Sequence, residues 1–109
     1  MQINSFNEKI YSLLRKVPKG KVTTYKILAN RLGTRAYRAV GSAMRCNPYA
    51  PAVPCHRVVS SGGKIGGFMG TTNTKSDAIK KKIMMLKKEG VKVKNNKIVN
   101  FEKTVFYFK

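Results

Sequence analysis

Four acidic residues stand against 23 lysines and arginines in this chain of 109 residues, and that shortage of negative charge is its most telling absence. A formal charge of +19 strains a folded protein by self-repulsion, so the imbalance points to a polyanionic partner. Long hydrophobic runs are missing too. No stretch approaches the roughly 18 to 20 apolar residues of a bilayer-spanning helix, and no secretory pattern opens the chain. The expectation is a soluble intracellular protein with no membrane partner. An anionic membrane surface is a weaker rival, because the basic residues are spread along the chain rather than gathered on one amphipathic helix. Cysteine and histidine are scarce. Cys46 and Cys55 do not make the disulfide framework of a small secreted domain, and with the lone His56 they have no zinc spacing, so no metal is expected. The GxGxxG and GxxxxGK[ST] spacings are also missing, which removes a nucleotide cofactor loop. With no repeat, low-complexity tract or internal boundary, residues 1–109 read as one domain, and a monomer, with one modest core.

What is present alternates between helix and turn signals. Ser5-Phe6-Asn7-Glu8 has capping-box spacing, and Phe6, Ile10, Leu13, Leu14 and Val17 recur at helical spacing until Pro18. Lys19-Gly20-Lys21 reads as a turn. A threonine-capped second helix carries Tyr25, Leu28, Ala29 and Leu32 on one face, and Gly33 falls where a C-cap needs positive φ. A third helix spans about 35 to 45, giving helix, glycine turn, helix, a pattern that is weak alone. At 100° per residue, Arg35, Arg38, Ser42 and Arg45 share one face of it, while Ala36, Ala39, Val40, Ala43 and Met44 share the other. Gly41 costs about 1 kcal/mol against alanine, a cost best explained by something that must approach the backbone closely. An arginine stripe among small residues suits a nucleic-acid groove; a solvated charged face is the plain alternative. Ser76-Asp77 caps a fourth helix to about 88, with Ile79, Ile83 and Leu86 inward, Lys80, Lys81, Lys82, Lys87 and Lys88 crowding it, and Gly90 beyond its end. Residues 91–99 form a hairpin around Asn95-Asn96, and 104–108 are strand-like or a covered apolar patch. The fold class is α+β, mainly helical.

Chemistry concentrates in Pro54-Cys55-His56-Arg57-Val58-Val59. A thiol is a weak nucleophile until it loses its proton, and a neighbouring imidazole can take that proton, directly or through water, if a third group fixes its tautomer. Proline-punctuated residues 47–54 deliver Cys55 on a rigid loop or strand end, with Asn47 tying the turn before Pro48. On adjacency alone, a small buried cysteine beside a surface histidine is an equal reading. Of the four carboxylates, Glu8, Asp77, Glu89 and Glu102, the first two are placed to cap helices, and Glu89 is a candidate to hold His56, since it accepts an unfavourable position at a helix C-terminus. From spacing alone an ordinary surface glutamate is favoured. Residues 65–70 are glycine-rich and could let a ligand approach the backbone.

Taken together, Pro54-Cys55-His56-Arg57-Val58 resembles the active-site signature of the O6-alkylguanine-DNA alkyltransferases. The likeness extends through residues 20–25, 38–45, Asn47-Pro48, Gly66-Gly67-Phe68 and 86–90, covering roughly 4 to 90. It implies a helix-turn-helix, winged-helix-like domain that enters the DNA minor groove and rotates the damaged nucleotide out, as chemistry on a base edge requires. By that resemblance Cys55 is the alkyl acceptor, His56 the water-mediated base, Glu89 its orienter and Asn47 the brace. Tyr25 crowds the target's 3′ phosphate and donates to the guanine ring. Arg38 fills the gap left by the flipped base, and Ala36, Ala39, Gly41 and Ser42 face the groove, flanked by Arg35, Tyr37 and Arg45. Val58, Gly66, Gly67, Phe68 and Met69 line the pocket, with the main chain at Cys55 and Val58 reading the guanine edge. Phe68 stands where a tyrosine is common, Met69 where a small hydroxyl residue is usual, and Tyr37 where a small residue is frequent. The implied partner is double-stranded DNA containing O6-alkylguanine, with no cofactor, in the cytoplasm at the nucleoid or in a nucleus. The amino-terminal domain of larger members is expected to be absent. Two rivals remain: a lesion sensor like the alkyltransferase-like proteins, which lack the cysteine, and a winged-helix regulator in which Cys55 is simply buried.

Overall fold

A computed structural model describes residues 5–50, 52–67 and 75–108 of the chain. Helix α1 (Ser5–Leu14) buries Ile10, Tyr11, Leu13 and Leu14 on one stripe, the spacing of its apolar residues, and unwinds through turns at 15–17 before Pro18. Ser5, the residue expected to cap it, is instead its first helical residue, and the residue before it lies outside the described ones. Gly20 takes φ +88 in the following turn.

Thr23–Thr24 is a two-residue strand, β1, that sequence periodicity did not announce. Thr24 then serves as N-cap of α2 (Tyr25–Arg31), accepting from the Ile27 N–H at 3.0 Å, as its residue type favours. Gly33 at φ +70 turns the chain into α3 (Tyr37–Arg45). The third helix starts later than the sequence pattern suggested. Ala36 is its N-cap without a side-chain cap bond, and Arg35 lies in the preceding turn, so Arg35 drops out of the arginine stripe. The apolar face is also narrower than expected: Val40 and Ala43 are fully buried, Ala39 and Met44 half-buried, and Ala36 exposed.

Cys55–Arg57 forms a single 3₁₀ turn, not the loop or strand end that proline spacing suggested, and runs directly into β2 (Val58–Val59). Strand β2 pairs in parallel with β1, Thr23 against Val58 and Thr24 against Val59. Because successive strand residues point to opposite faces, Val58 joins one core with α1, α2, α3 and Val53, while Val59 joins another with Val22, Ile65, Ile79, Leu86, Val91 and Ile98. The 60–64 turn follows, with the Ser60 N–H on Lys64 O, and Lys64 then bridges to Lys97.

Helix α4 (Asp77–Lys88) is capped by Ser76 Oγ, which accepts from Ile79 N–H, and closes at Gly90 with φ +89. The expected hairpin is β3 (Val93–Lys94) with β4 (Lys97–Ile98), antiparallel across Asn95 and Asn96 at φ 51 and 60, the two positive values a type I′ turn requires. A last turn of helix, α5 (Phe101–Thr104), is preceded by Asn100 in the left-handed region and was not foreseen. The tail returns beside β1 through a parallel bridge between Val22 and Val105. The architecture is α+β with five helices and two small sheets among the described residues, and none of those helices is long and apolar enough to cross a membrane.

Candidate active site and nucleic-acid interface

The 3₁₀ turn places Cys55 and His56 on different sides of the chain. His56 is buried and points to Glu89, with Nε2 3.0 Å from Oε2. Arg57 grips the same carboxylate with two N–H groups, at 2.8 and 2.6 Å, and donates a third bond to Val17 O at 2.8 Å. Glu89 is therefore no ordinary surface glutamate. Burial raises its pKa, but the hydrogen bonds and charges of Arg57 and His56 outweigh that and hold it below the usual carboxylate range. For His56, burial wins over the Glu89 interaction and lowers its pKa, so the ring is neutral at pH 7. A neutral ring beside a carboxylate keeps its proton on Nε2 and donates it to Glu89, which leaves Nδ1 as a free acceptor.

Cys55 is half-buried. Burial pushes its thiol up from the ordinary value, opposed by a hydrogen bond from the Asn47 side chain and by the positive charge of Lys82. The thiol therefore rests protonated. No direct hydrogen bond joins it to His56 among the described residues, so any proton transfer between them needs a bridge. Asn47 braces the loop as expected: its amide donates to Val53 O at 2.8 Å, and its oxygen accepts from the Tyr49 N–H at 2.9 Å. Tyr25 is near enough to Cys55 for their charges to interact, and burial is the larger cause of its raised pKa. Its hydroxyl lies 3.5 Å from Gly67 O, too long for a strong bond and so available to another acceptor. Gly66, at φ +72, sits so close to Ser60 and Tyr25 that an added Cβ would fall 3.0 Å from Ser60 Oγ. Val58 is buried; its N–H caps the turn on Cys55 O and its carbonyl accepts from Lys82, so both of its main-chain groups already have partners inside the protein. Phe68 and Met69 lie outside the described residues.

The outer face of α3 differs in chemistry from the Cys55 site. Arg38, Arg45 and Tyr37 are exposed, Tyr37 at 43%, and Arg35 and Ala36 are exposed just before the helix. Ser42 and Gly41 are half-buried between them, and a Cβ added at Gly41 would meet nothing within 4 Å. Nothing inside the protein needs that glycine, so the helix keeps an open, small-residue strip flanked by cations.

Residues 5–91 match the family model described as the DNA binding domain of 6-O-methylguanine DNA methyltransferase. The chain belongs to the 6-O-methylguanine DNA methyltransferase family. A methylated-DNA–protein-cysteine methyltransferase of Saccharolobus solfataricus is 42% identical over 88 residues, covering 81% of this chain and 52% of that relative. The chain thus spans about half the length of the curated relatives it matches. The O6-methylguanine-DNA methyltransferase of Pyrococcus kodakaraensis superposes with a TM-score of 0.68 at 42% identity, over 82% of this chain and 48% of the other. Schizosaccharomyces pombe Atl1, solved with damaged DNA containing O6-carboxymethylguanine, superposes with a TM-score of 0.77 at 27% identity, over 99% of this chain and 100% of its own.

Within this methyltransferase-family domain, sequence reasoning missed three side chains. Arg57 belongs to the Glu89 cluster, although it stands in the signature itself. Tyr11 is fully buried, donates to Ala43 O at 2.8 Å, and so ties α1 to α3. Lys82 is fully buried on α4. Its signal was visible: it lies three residues after Ile79 and four before Leu86, on the apolar stripe.

Proposed function

We propose that this chain repairs DNA directly by moving a methyl or other alkyl group from O6 of guanine to its own Cys55. The observation that carries this reading is the His56–Glu89 hydrogen bond one residue along from Cys55, because it leaves His56 with an acceptor nitrogen that a bridging water can link to the protonated thiol. The Cys55 proton passes through a bridging water to His56 Nδ1. The sulfur lone pair forms the S–C bond as the C–O6 bond breaks, and the bonding pair leaves with guanine, which takes up a proton. Tyr25 donates its hydroxyl to the guanine ring as that charge develops, and Asn47 braces the turn. The step uses no cofactor, and a thioether is inert to the groups around Cys55, so each molecule acts once.

The base must leave the stack to reach the sulfur. Arg38 fills the gap, while Ala36, Ala39, Gly41 and Ser42 let α3 approach the minor groove with Arg35, Tyr37 and Arg45 at its edges. Such a monomer works where its DNA is, in the nucleoid or a nucleus. A second reading, a lesion sensor that holds but does not repair, draws on the superposition with Atl1, solved with damaged DNA containing O6-carboxymethylguanine, and is opposed by the presence of Cys55. Intact-mass and peptide mapping after incubation with an O6-methylguanine duplex separates the two. One methyl mass on Cys55 supports transfer; tight lesion binding with an unmodified thiol supports the sensor.

A further inference from the structure

A lysine with no exposed surface is costly unless something compensates its charge. Lys82 Nζ donates to three main-chain carbonyls, Val58 O at 2.7 Å, Ile65 O at 2.5 Å and Gly67 O at 2.9 Å, which matches its three protons. Those carbonyls come from two segments that frame the cysteine. Val58 begins the strand leaving the 3₁₀ turn and donates its own N–H to Cys55 O, so one hydrogen-bonded chain runs from Lys82 through Val58 to Cys55. Ile65 and Gly67 belong to the glycine-rich segment beside Tyr25. Lys82 is thus fixed from α4 against both walls of the site. No acidic side chain pairs with it among the described residues.

We propose that Lys82 is a positioning residue for Cys55: its ammonium pins the Val58 strand and the Gly67 segment together and supplies the buried positive charge that stabilises the Cys55 thiolate as it forms. The proposal deepens the alkyl-transfer reading and rests on it for its biological use, but its electrostatics stand without DNA. Burial lowers the Lys82 pKa to about 7, Cys55 acts to raise it, and Lys82 in turn lowers the Cys55 pKa. The other titratable group it affects is His56, whose pKa it helps to lower. Strand β3, packed on α4, adds only the exposed Lys94. A charge of this kind matters most in the step where sulfur loses its proton in a half-buried site.

The test uses Cys46→Ser protein, in which Cys55 is the only thiol, with and without Lys82→Met. Thiolate absorbance at 240 nm against pH gives the Cys55 titration, and iodoacetamide gives its reactivity. The expected result is a Cys55 titration displaced upward by at least one pH unit and a roughly tenfold slower alkylation at pH 6.5, where the Lys82 ammonium is charged, one unit being tenfold in thiolate. An unchanged titration and rate in folded Lys82→Met protein would overturn the proposal. If that variant does not fold, the unsubstituted chain with 13Cε-labelled lysine decides. Methylating Cys55 with iodomethane should displace the Lys82 titration to lower pH, and an unmoved titration would overturn the assignment. Single-turnover transfer from an O6-methylguanine duplex is measured in parallel. A displaced titration in a protein that transfers nothing would uphold the Lys82 role and sink the repair reading instead.

Discussion

Replacing Glu89 by glutamine keeps its size and removes the charge that His56 and Arg57 share. Glu89 accepts three short bonds, at 2.8, 2.6 and 3.0 Å, and its side chain and that of Arg57 are only 12% and 16% exposed. Breaking a fully buried ion pair costs about 3–5 kcal/mol. Glutamine retains one acceptor oxygen, and water reaches the rim of this pair, so Glu89→Gln should cost about 2–3 kcal/mol at pH 7. Since the folded-state pKa of Glu89 lies below its unfolded value, its contribution is complete above about pH 4.3 and disappears as pH falls through the folded pKa. The gap between the native protein and Glu89→Gln should therefore be full at pH 7 and close in the acid range. Urea denaturation at pH 7, 5, 4 and 3 measures it, the midpoint falling by about 1–2 M at pH 7 for a typical small-protein slope. A gap under about 0.5 kcal/mol at pH 7, or one unchanged down to pH 3, would refute the reasoning. The same variant frees the His56 tautomer and should slow alkyl transfer about 10²-fold, the low end for a positioned base.

Two further outcomes concern α3. Gly41→Ala should stabilise the fold by up to about 1 kcal/mol, since its Cβ meets nothing and its φ is not positive, yet weaken duplex binding by thickening the groove strip; thermal melts and binding titrations should move in opposite directions. Arg38→Ala should weaken capture of a lesion duplex far more than the reaction of Cys55 with free O6-benzylguanine, and equal losses in both assays would remove Arg38 from the groove.

Helices with strong local signals were legible in the sequence. Thr24 and Ser76 cap as their residue type dictates, Gly33 and Gly90 end helices at positive φ, and Asn95-Asn96 makes the hairpin turn. Strand β1 was hidden because two threonines before a helix read as a cap, and only pairing with distant Val58 makes them a strand. Glu89 could be nominated from its awkward place at a helix end, but nothing in its spacing encodes the embrace of Arg57 across 32 residues. Lys82 was overlooked among its neighbours because composition makes every lysine look like surface charge. Its place on the apolar stripe of α4 was the contrary sign.

Adjacent valines in β2 are claimed by different cores, Val58 by one and Val59 by the other. Neither half can melt and leave the other intact, because stripping the strand from one side removes a wall from both. The domain should come apart as a single cooperative unit. The sulfur, three residues upstream of that shared seam, is held with the full stability of the whole molecule behind it.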